Sequence, residues 1–300
     1  MKEINNTAHG PTWVLNCEKD AAQEKQAIAK FAVKEFIRYG SVIQIGSGTT
    51  FDVLIDSILN YQIKKPEALD LVIMTTNLSV LQRVRDALVD HIDVLGSTQV
   101  ILTGGAVHKS LNSLVGPFAA AGVQSQTLIP DFVFWGACGL QFQKEFLITY
   151  QFGDELEVQE SYACRPTRHR VLLADHNKFR AVSAWRAQIS LLSMLQNTNQ
   201  CTLITTMPEE HPMISRVQKE VRAFEALLDS VVDAEQLDKE LAKQLEGKEL
   251  SLRVVDLAGQ ELQDWSTCLS IRRKRLRKEK IETDDPDSRV TLALGRGQTT

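Results

Sequence analysis

Two glycines and three hydroxyl residues stand together at Gly46-Ser47-Gly48-Thr49-Thr50, directly after the apolar run Val42-Ile43-Gln44-Ile45 and before the amphipathic stretch Phe51 to Leu59. Strand, glycine turn and helix start, in that order, make an anion site. The turn exposes consecutive backbone N–H groups, and the helix N-terminus carries a positive partial charge. Gly46 and Gly48 can take positive φ and let a ligand come close to the backbone. Ser47, Thr49 and Thr50 add hydroxyl donors, and one of them can cap the helix. The same residues also suffice for turn and cap chemistry with no ligand, so the motif gains weight only from the other strand ends of the chain.

Four further short apolar runs end in small or polar residues. Leu71 to Thr75 ends at Thr76-Asn77, and Val100 to Thr103 ends at Gly104-Gly105. Asp131 to Trp135 ends at Gly136, with Gly139 three residues on, and Arg170 to Ala174 ends at Asp175-His176-Asn177-Lys178. Strand ends facing one rim, with many backbone donors, a lysine and few carboxylates, point to a small anionic ligand. The Lys178 ammonium can reach an anion held by the Gly46–Thr50 turn; alternatively Asp175 and Asn177 make an Asx turn and Lys178 is a surface residue. Cys138 lies between Gly136 and Gly139 with no histidine in a partner role, which reads as a small buried filler. His176 reads as an exposed turn histidine. Asp154, Glu155, Glu157 and Glu160 form an acidic cluster in which Glu157 and Glu160 share a helix face, either as a general base or as a solvated surface. There is no Ser–His–Asp order and no metal-ligand spacing, so no catalytic residue, cofactor or metal is expected.

The elements that must position these residues are read from hydropathy. The 300-residue chain is 43% hydrophobic and 24% charged, typical of a globular protein with a sizeable core. A net charge of −4 argues against affinity of the whole chain for nucleic acid or anionic membrane. Met1 to Asn6 has no apolar core of a signal peptide, and no apolar run reaches the ~18 residues of a membrane helix. Five scattered cysteines suit a reducing compartment, so a cytoplasmic location is expected. Ala21 to Tyr39 has helical spacing with Gly40 as C-cap, Leu78 to Val89 reads as a helix, and Thr202 to Thr205 as a strand. Apolar strands alternating with helices predict an α/β fold: a mainly parallel sheet covered by helices on both faces, with ligands at the carboxyl ends of the strands.

From Met207 the character changes. Ile214, Val217, Val221, Phe224, Leu228 and Val231 keep a heptad spacing, and Asp233 to Gly247 reads as a second, capped helix. So narrow a seam suits an oligomer contact; packing on its own domain is the simpler account, because it spans fewer than ~3–4 heptads. Leu250 to Val255 is expected to be the last strand. Leu262, Trp265 and Leu269 mark a further helix running into the basic run Arg272 to Lys280, which offers phosphate-backbone contacts or a solvated helix end. The expected organisation is a polar leader over 1–20, an α/β domain over 21–256 with a helical insertion at 207–248, and a helical basic segment with a disordered tail over 257–300.

Taken in order, Glu24 to Ala29 through Gly40, the Gly46–Thr50 turn, Thr76-Asn77, Leu102 to Gly105, Leu114 to Pro117, Asp131 to Leu140, Glu155 to Val158 and Leu172 to Phe179 resemble the C-terminal sensor domain of DeoR-type bacterial transcriptional regulators. The likeness covers roughly residues 21–206, and the strand near 250–256 matches the family's last. It implies a fold shared with ribose-5-phosphate isomerase and a pocket for a phosphorylated sugar or similar metabolite. The family's phosphate loop falls on Gly46 to Thr50, its threonine-asparagine on Thr76-Asn77, its double glycine on Gly104-Gly105, and its aspartate-to-lysine motif on Asp175 to Lys178. Gly46 replaces a usual aspartate, and Gln159 a usual lysine. The family's helix-turn-helix needs some fifty residues and about twenty precede the domain here, so no specific operator binding is expected. The resulting expectation is a sensor domain that binds a phosphorylated small molecule and regulates as a homo-oligomer or through a protein partner, without a DNA reader of its own. One alternative is a sugar-phosphate isomerase-type enzyme, although Asp131, Asp154, Glu157 and Lys178 do not recreate that enzyme's motifs. The other is an interaction protein with a vestigial pocket.

Overall fold

The computed structural model describes residues 21–65, 70–125, 127–141, 147–150, 153–179, 187–190, 195, 197–207, 214–232 and 247–270. Along the chain its elements are α1 (Ala22–Phe36), β1 (Val42–Ile45), α2 (Thr49–Lys64), β2 (Val72–Thr75), α3 (Leu78–Asp90), the single turn α4 (Ile92–Leu95), β3 (Gln99–Leu102), β4 (Ala106–His108), β5 (Ser113–Val115), α5 (Pro117–Ser125), β6 (Phe132–Gly136), β7 (Gly139–Gln141), β8 (Leu147–Tyr150), α6 (Gly153–Cys164), β9 (His169–Leu173), β10 (Ala187–Ser190), β11 (Gln200–Thr206), α7 (Ile214–Val232), β12 (Glu249–Val255) and β13 (Thr267–Ser270). The main sheet has the order β13-β12-β11-β9-β6-β1-β2-β3. Its seven strands from β3 to β12 are parallel, and β13 lies antiparallel on the β12 edge. The α/β fold with a mainly parallel sheet, expected from the alternation of apolar runs and helices, is what forms.

The apolar runs are short and nearly continuous because both faces of the sheet are covered. Ile43 and Ile45 of β1 pack with Phe134 and Val171 against Ile28, Phe31 and Phe36 of α1 and Phe51, Leu54 and Ile58 of α2. On the opposite face Val133, Trp135, Leu172 and Leu203 pack against Ala119 and Val123 of α5, Val158 and Tyr162 of α6, and Val217, Val221 and Phe224 of α7. Burying each large side chain contributes about 1.5–3 kcal/mol, so the two layers fix the sheet between them.

Strand order decides where a ligand can sit. From β1 the chain steps outward to β2 and β3, then returns to β6 on the other side of β1. That reversal puts the carboxyl ends of β1 and β6 at the position where open α/β sheets hold ligands.

Several local expectations are corrected. Gly40 does not cap α1; the helix stops at Phe36, Ile37 is its extended C-cap, and Gly40 turns the chain at φ +69° on the way to β1. Leu250 to Val255 is not the last strand. The helix expected through Leu262, Trp265 and Leu269 is instead a short 3-10 turn (Gln263–Trp265) and then β13, because pairing with β12 gives this apolar segment a ladder partner and a place against the core. Two small antiparallel sheets, β4-β5 and β10-β8-β7, had no counterpart in the hydropathy pattern. The heptad over Ile214 to Val231 does form one helix, α7, with Val217, Val221 and Phe224 in the core of the domain. The second capped helix, the polar leader and the basic run Arg272 to Lys280 lie outside the described residues. Among the described residues no helix is long and apolar enough to cross a membrane.

Candidate functional site

The glycine turn sits at the strand-order reversal. Gly46 N–H donates to the Phe134 carbonyl of β6 across 2.9 Å, tying the turn to the neighbouring strand. A Cβ on Gly46 would meet the Phe51 ring and the Phe134 carbonyl at 3.4 Å, and one on Gly136 would meet the same ring at 2.8 Å. Phe51, the third residue of α2, therefore covers both strand ends, and glycine is what fits beneath it. Gly48 is the N-cap of α2 at φ 114°, ψ 167°, a region that essentially only glycine occupies. No side chain caps this helix, so the first N–H groups of a 16-residue helix point to the rim with its positive end.

A lysine stands over that helix start. Lys25, on the first turn of α1 and only 4% exposed, donates from Nζ to Thr49 Oγ1 at 2.9 Å. Its neighbour Glu24, also buried, contacts His176 Nδ1, accepts from the His176 backbone N–H at 3.2 Å, and accepts from Thr206 Oγ1 at the end of β11. Burial pushes the Glu24 carboxyl up, but hydrogen bonds from His176 and Thr206 outweigh it and hold the group below its ordinary value. These contacts pin the start of α1 to the turn after β9 and so fix where Lys25 points.

The carbonyl that ends β1 is equally constrained. Ile45 O accepts from Thr75 Oγ1 at 2.8 Å and from Tyr162 OH at 3.1 Å. Burial pushes the Tyr162 phenol up to about 12, so it remains a donor at neutral pH. Asp52, one turn into α2, lies 3.4 Å from Asn77 Nδ2; burial raises its carboxyl, against the opposing effects of Arg83, Asn77 and Ser79.

The expected site residues fall into groups. Gly46 to Gly48 make the turn at the reversal, while Thr49 and Thr50, expected in the turn, are the first two residues of α2. Thr76 is buried against Tyr162, and its carbonyl accepts from Ser113 Oγ at 3.0 Å, while Asn77 caps α3 by accepting from Ser79 N–H. Gly104 takes φ +83° with open space at its Cβ position; Gly105 packs against Ala119, where a Cβ would come within 2.6 Å. Gly136 is filled by Phe51, and Gly139 opens β7. Asp175 makes the Asx turn to the Asn177 N–H at 3.0 Å, and Lys178 lies in the 3-10 turn His176–Phe179, half-buried. His176 is corrected: it is wholly buried against Glu24 rather than exposed, because α1 packs over the turn. Cys138 is corrected too: it is exposed at the rim, not a filler. Of the acidic cluster, Asp154, Glu157 and Glu160 face solvent and Glu155 is buried. Sequence reasoning met Glu24 and Lys25 only within the Glu24 to Ala29 stretch and Glu155 only within the acidic cluster, and gave none of them a place in the site. The only signal was a charged pair, Glu24-Lys25, at the start of an otherwise apolar-faced helix. Among the described residues no group of histidine, cysteine, aspartate and glutamate side chains could hold a metal ion.

Comparison with known proteins adds the lineage. Solved structures similar to the chain include ribose 5-phosphate isomerase from Plasmodium falciparum, at 15% identity over 51% of each chain and TM-score 0.35. They also include the ribose 5-phosphate isomerase a of Methanocaldococcus jannaschii, at 16% identity over 51% of this chain and 52% of that one, TM-score 0.34. A third is a probable sor operon regulator from Shigella flexneri, at 9% identity over 62% of this chain and 86% of that one, TM-score 0.34. The chain thus spans about half the length of the isomerases it matches. No curated protein sequence matches it. Residues 20–195, more than half of the chain, match the DeoR C terminal sensor domain, and the protein belongs to that family of regulatory sensor domains.

Proposed function

We propose that this chain senses a phosphorylated small molecule, a sugar phosphate or a related metabolite, and that the phosphate rests on the Gly46–Thr50 turn. The observation that carries the reading is Lys25: a buried ammonium held 2.9 Å from Thr49 Oγ1, over the uncapped N-terminus of α2, at the reversal of strand order. Backbone N–H groups, a helix dipole and a fixed cation converge there, which is the chemistry that holds a phosphate dianion. The role is regulatory: occupancy of the turn is read through a second copy or a partner protein. Titration calorimetry of the chain with inorganic phosphate and a panel of sugar phosphates tests this, with Lys25→Met alongside. Binding is expected in the parent and a marked loss in the variant. Equal binding by parent and variant would remove Lys25 from the site, and absence of binding by the parent would remove the turn.

A further inference from the structure

The solvent side of the α2–α3 pair holds a groove of about 410 Å3. One face of each helix lines it at i, i+3, i+4, i+7 spacing: Asp56, Leu59, Asn60 and Ile63 from α2, and Arg83, Asp86, Ala87 and Asp90 from α3. Leu59, Ile63 and Ala87 pack on the core beneath and make an apolar floor. The walls carry three carboxylates against one guanidinium, and that guanidinium, Arg83, is already held by Asp56 at 2.6 Å. Asp86 pairs with its exposed neighbour Arg85, a contact of little strength. Asp90 is exposed and has no ion pair among the described residues. Both helices run from the carboxyl to the amino ends of the strands, so their negative C-terminal ends lie at this groove and add to its field. Beside Asp90 and His91, Val89 and Ile92 leave 79% and 60% of their surface in water, and large apolar side chains exposed together mark a contact.

We infer that this groove receives the basic run Arg272 to Lys280 of a second copy of the chain, with Leu276 on the apolar floor and the flanking arginines on Asp56, Asp86 and Asp90. The inference does not depend on the phosphate reading of the Gly46–Thr50 turn. The run sets one apolar side chain, Leu276, among arginines and lysines with a single glutamate. That is the complement of an apolar floor walled by carboxylates. The copy is a second one because a chain's own run cannot reach. Ser270 ends β13 at one edge of the sheet, and five strand positions, or ~24 Å at the usual spacing, separate that edge from β1. The groove stands a further helix layer off the sheet, whereas the chain from Ser270 to Leu276 spans at most ~21 Å. Two copies that each lend a run and offer a groove close into a two-fold pair. Because α2 starts at the glycine turn and α3 at Asn77, the contact engages the two helices that leave the ends of β1 and β2.

Analytical ultracentrifugation of the full chain tests this. A dimer is expected whose Kd rises at least about tenfold between ~0.1 M and ~1 M salt, as the Debye length falls from ~10 Å to ~3 Å. Reversing the groove (Asp86→Lys with Asp90→Lys) or the run (Arg273→Glu, Arg275→Glu and Arg277→Glu) should each leave monomers. Mixing the two variants should restore the dimer, since each groove then faces a run of opposite charge. Asp86 and Asp90 are exposed, and circular dichroism checks that each variant is folded. Should the reversal disturb α3, the smaller change Asp86→Asn with Asp90→Asn should still weaken the dimer several-fold. A parent that stays monomeric at low salt overturns the inference, as does a dimer that survives either reversal. Two monomeric variants whose mixture stays monomeric overturn it too, because the charges would then act elsewhere. A monomeric parent that binds duplex DNA through the run would give the run to nucleic acid instead.

Discussion

The two halves of the rim are built by different means. The β1–α2 half is a run of consecutive residues, Gly46 to Thr50, with one ring, Phe51, filling the space that Gly46 and Gly136 leave. The other half is made of side chains brought together from afar: Glu24 meets His176 and Thr206, which lie 152 and 182 positions away, and Tyr162 reaches Ile45 across 117. On the phosphate reading proposed above, the first half would hold the anion and the second would place the elements around it. A backbone site is robust to most side-chain changes but intolerant of a Cβ. A side-chain site fails when one buried partner is left without its opposite.

The largest expected effect breaks the second half. Glu24→Ala leaves His176 and Thr206 facing an empty acceptor position, and should lower stability by about 3 kcal/mol at neutral pH. Urea titration measures this. Because the folded carboxyl titrates below its ordinary value of 4.5, the stability it adds is complete above pH 4.5 and fades as pH falls below it. The gap between parent and variant should therefore close in that acidic range; a gap that widens there would mean Glu24 is held neutral.

Gly48→Val breaks the first half. Open space surrounds the missing Cβ, so the cost is backbone strain at φ 114°, about 1–3 kcal/mol, with phosphate binding abolished. A folded Gly48→Val that still binds sugar phosphates would show that the ligand does not approach this backbone.

Two lysines sharpen the comparison. Lys25→Met should weaken phosphate binding by about 1.5–3 kcal/mol with a smaller change in melting temperature, since the methionine keeps the packed stem. Lys178→Ala should shift stability by no more than about 0.5 kcal/mol and binding by less than Lys25→Met does. If the two lysines trade places in this ranking, the cation of the site belongs to the turn after β9.

This contrast also explains what could be read from the residues alone. The strand ends were legible because parallel strands buried on both faces write themselves as β-branched runs that stop at small residues. Gly46 to Thr50, Thr76-Asn77 and Asp175 to Lys178 lie at those ends for that reason. Lys25 and Glu24 were not legible, since a charged pair on a first helical turn is usually solvated and nothing local says that β11 and the turn after β9 close over it. Glu155 was hidden among four carboxylates, of which its neighbours obey the solvated default. Leu262 to Leu269 misled because three apolar residues at helical spacing also suit a 3-10 turn and a short edge strand, and pairing with β12 decided between them.

Strand β13 has a consequence for polarity. It runs against β12 with Ser270 opposite Glu249, the first residue of that strand. Strand β13 therefore carries the chain from the carboxyl edge of the parallel strands back to their amino edge, and Ser270 stands at the opposite end of the sheet from the Gly46–Thr50 turn.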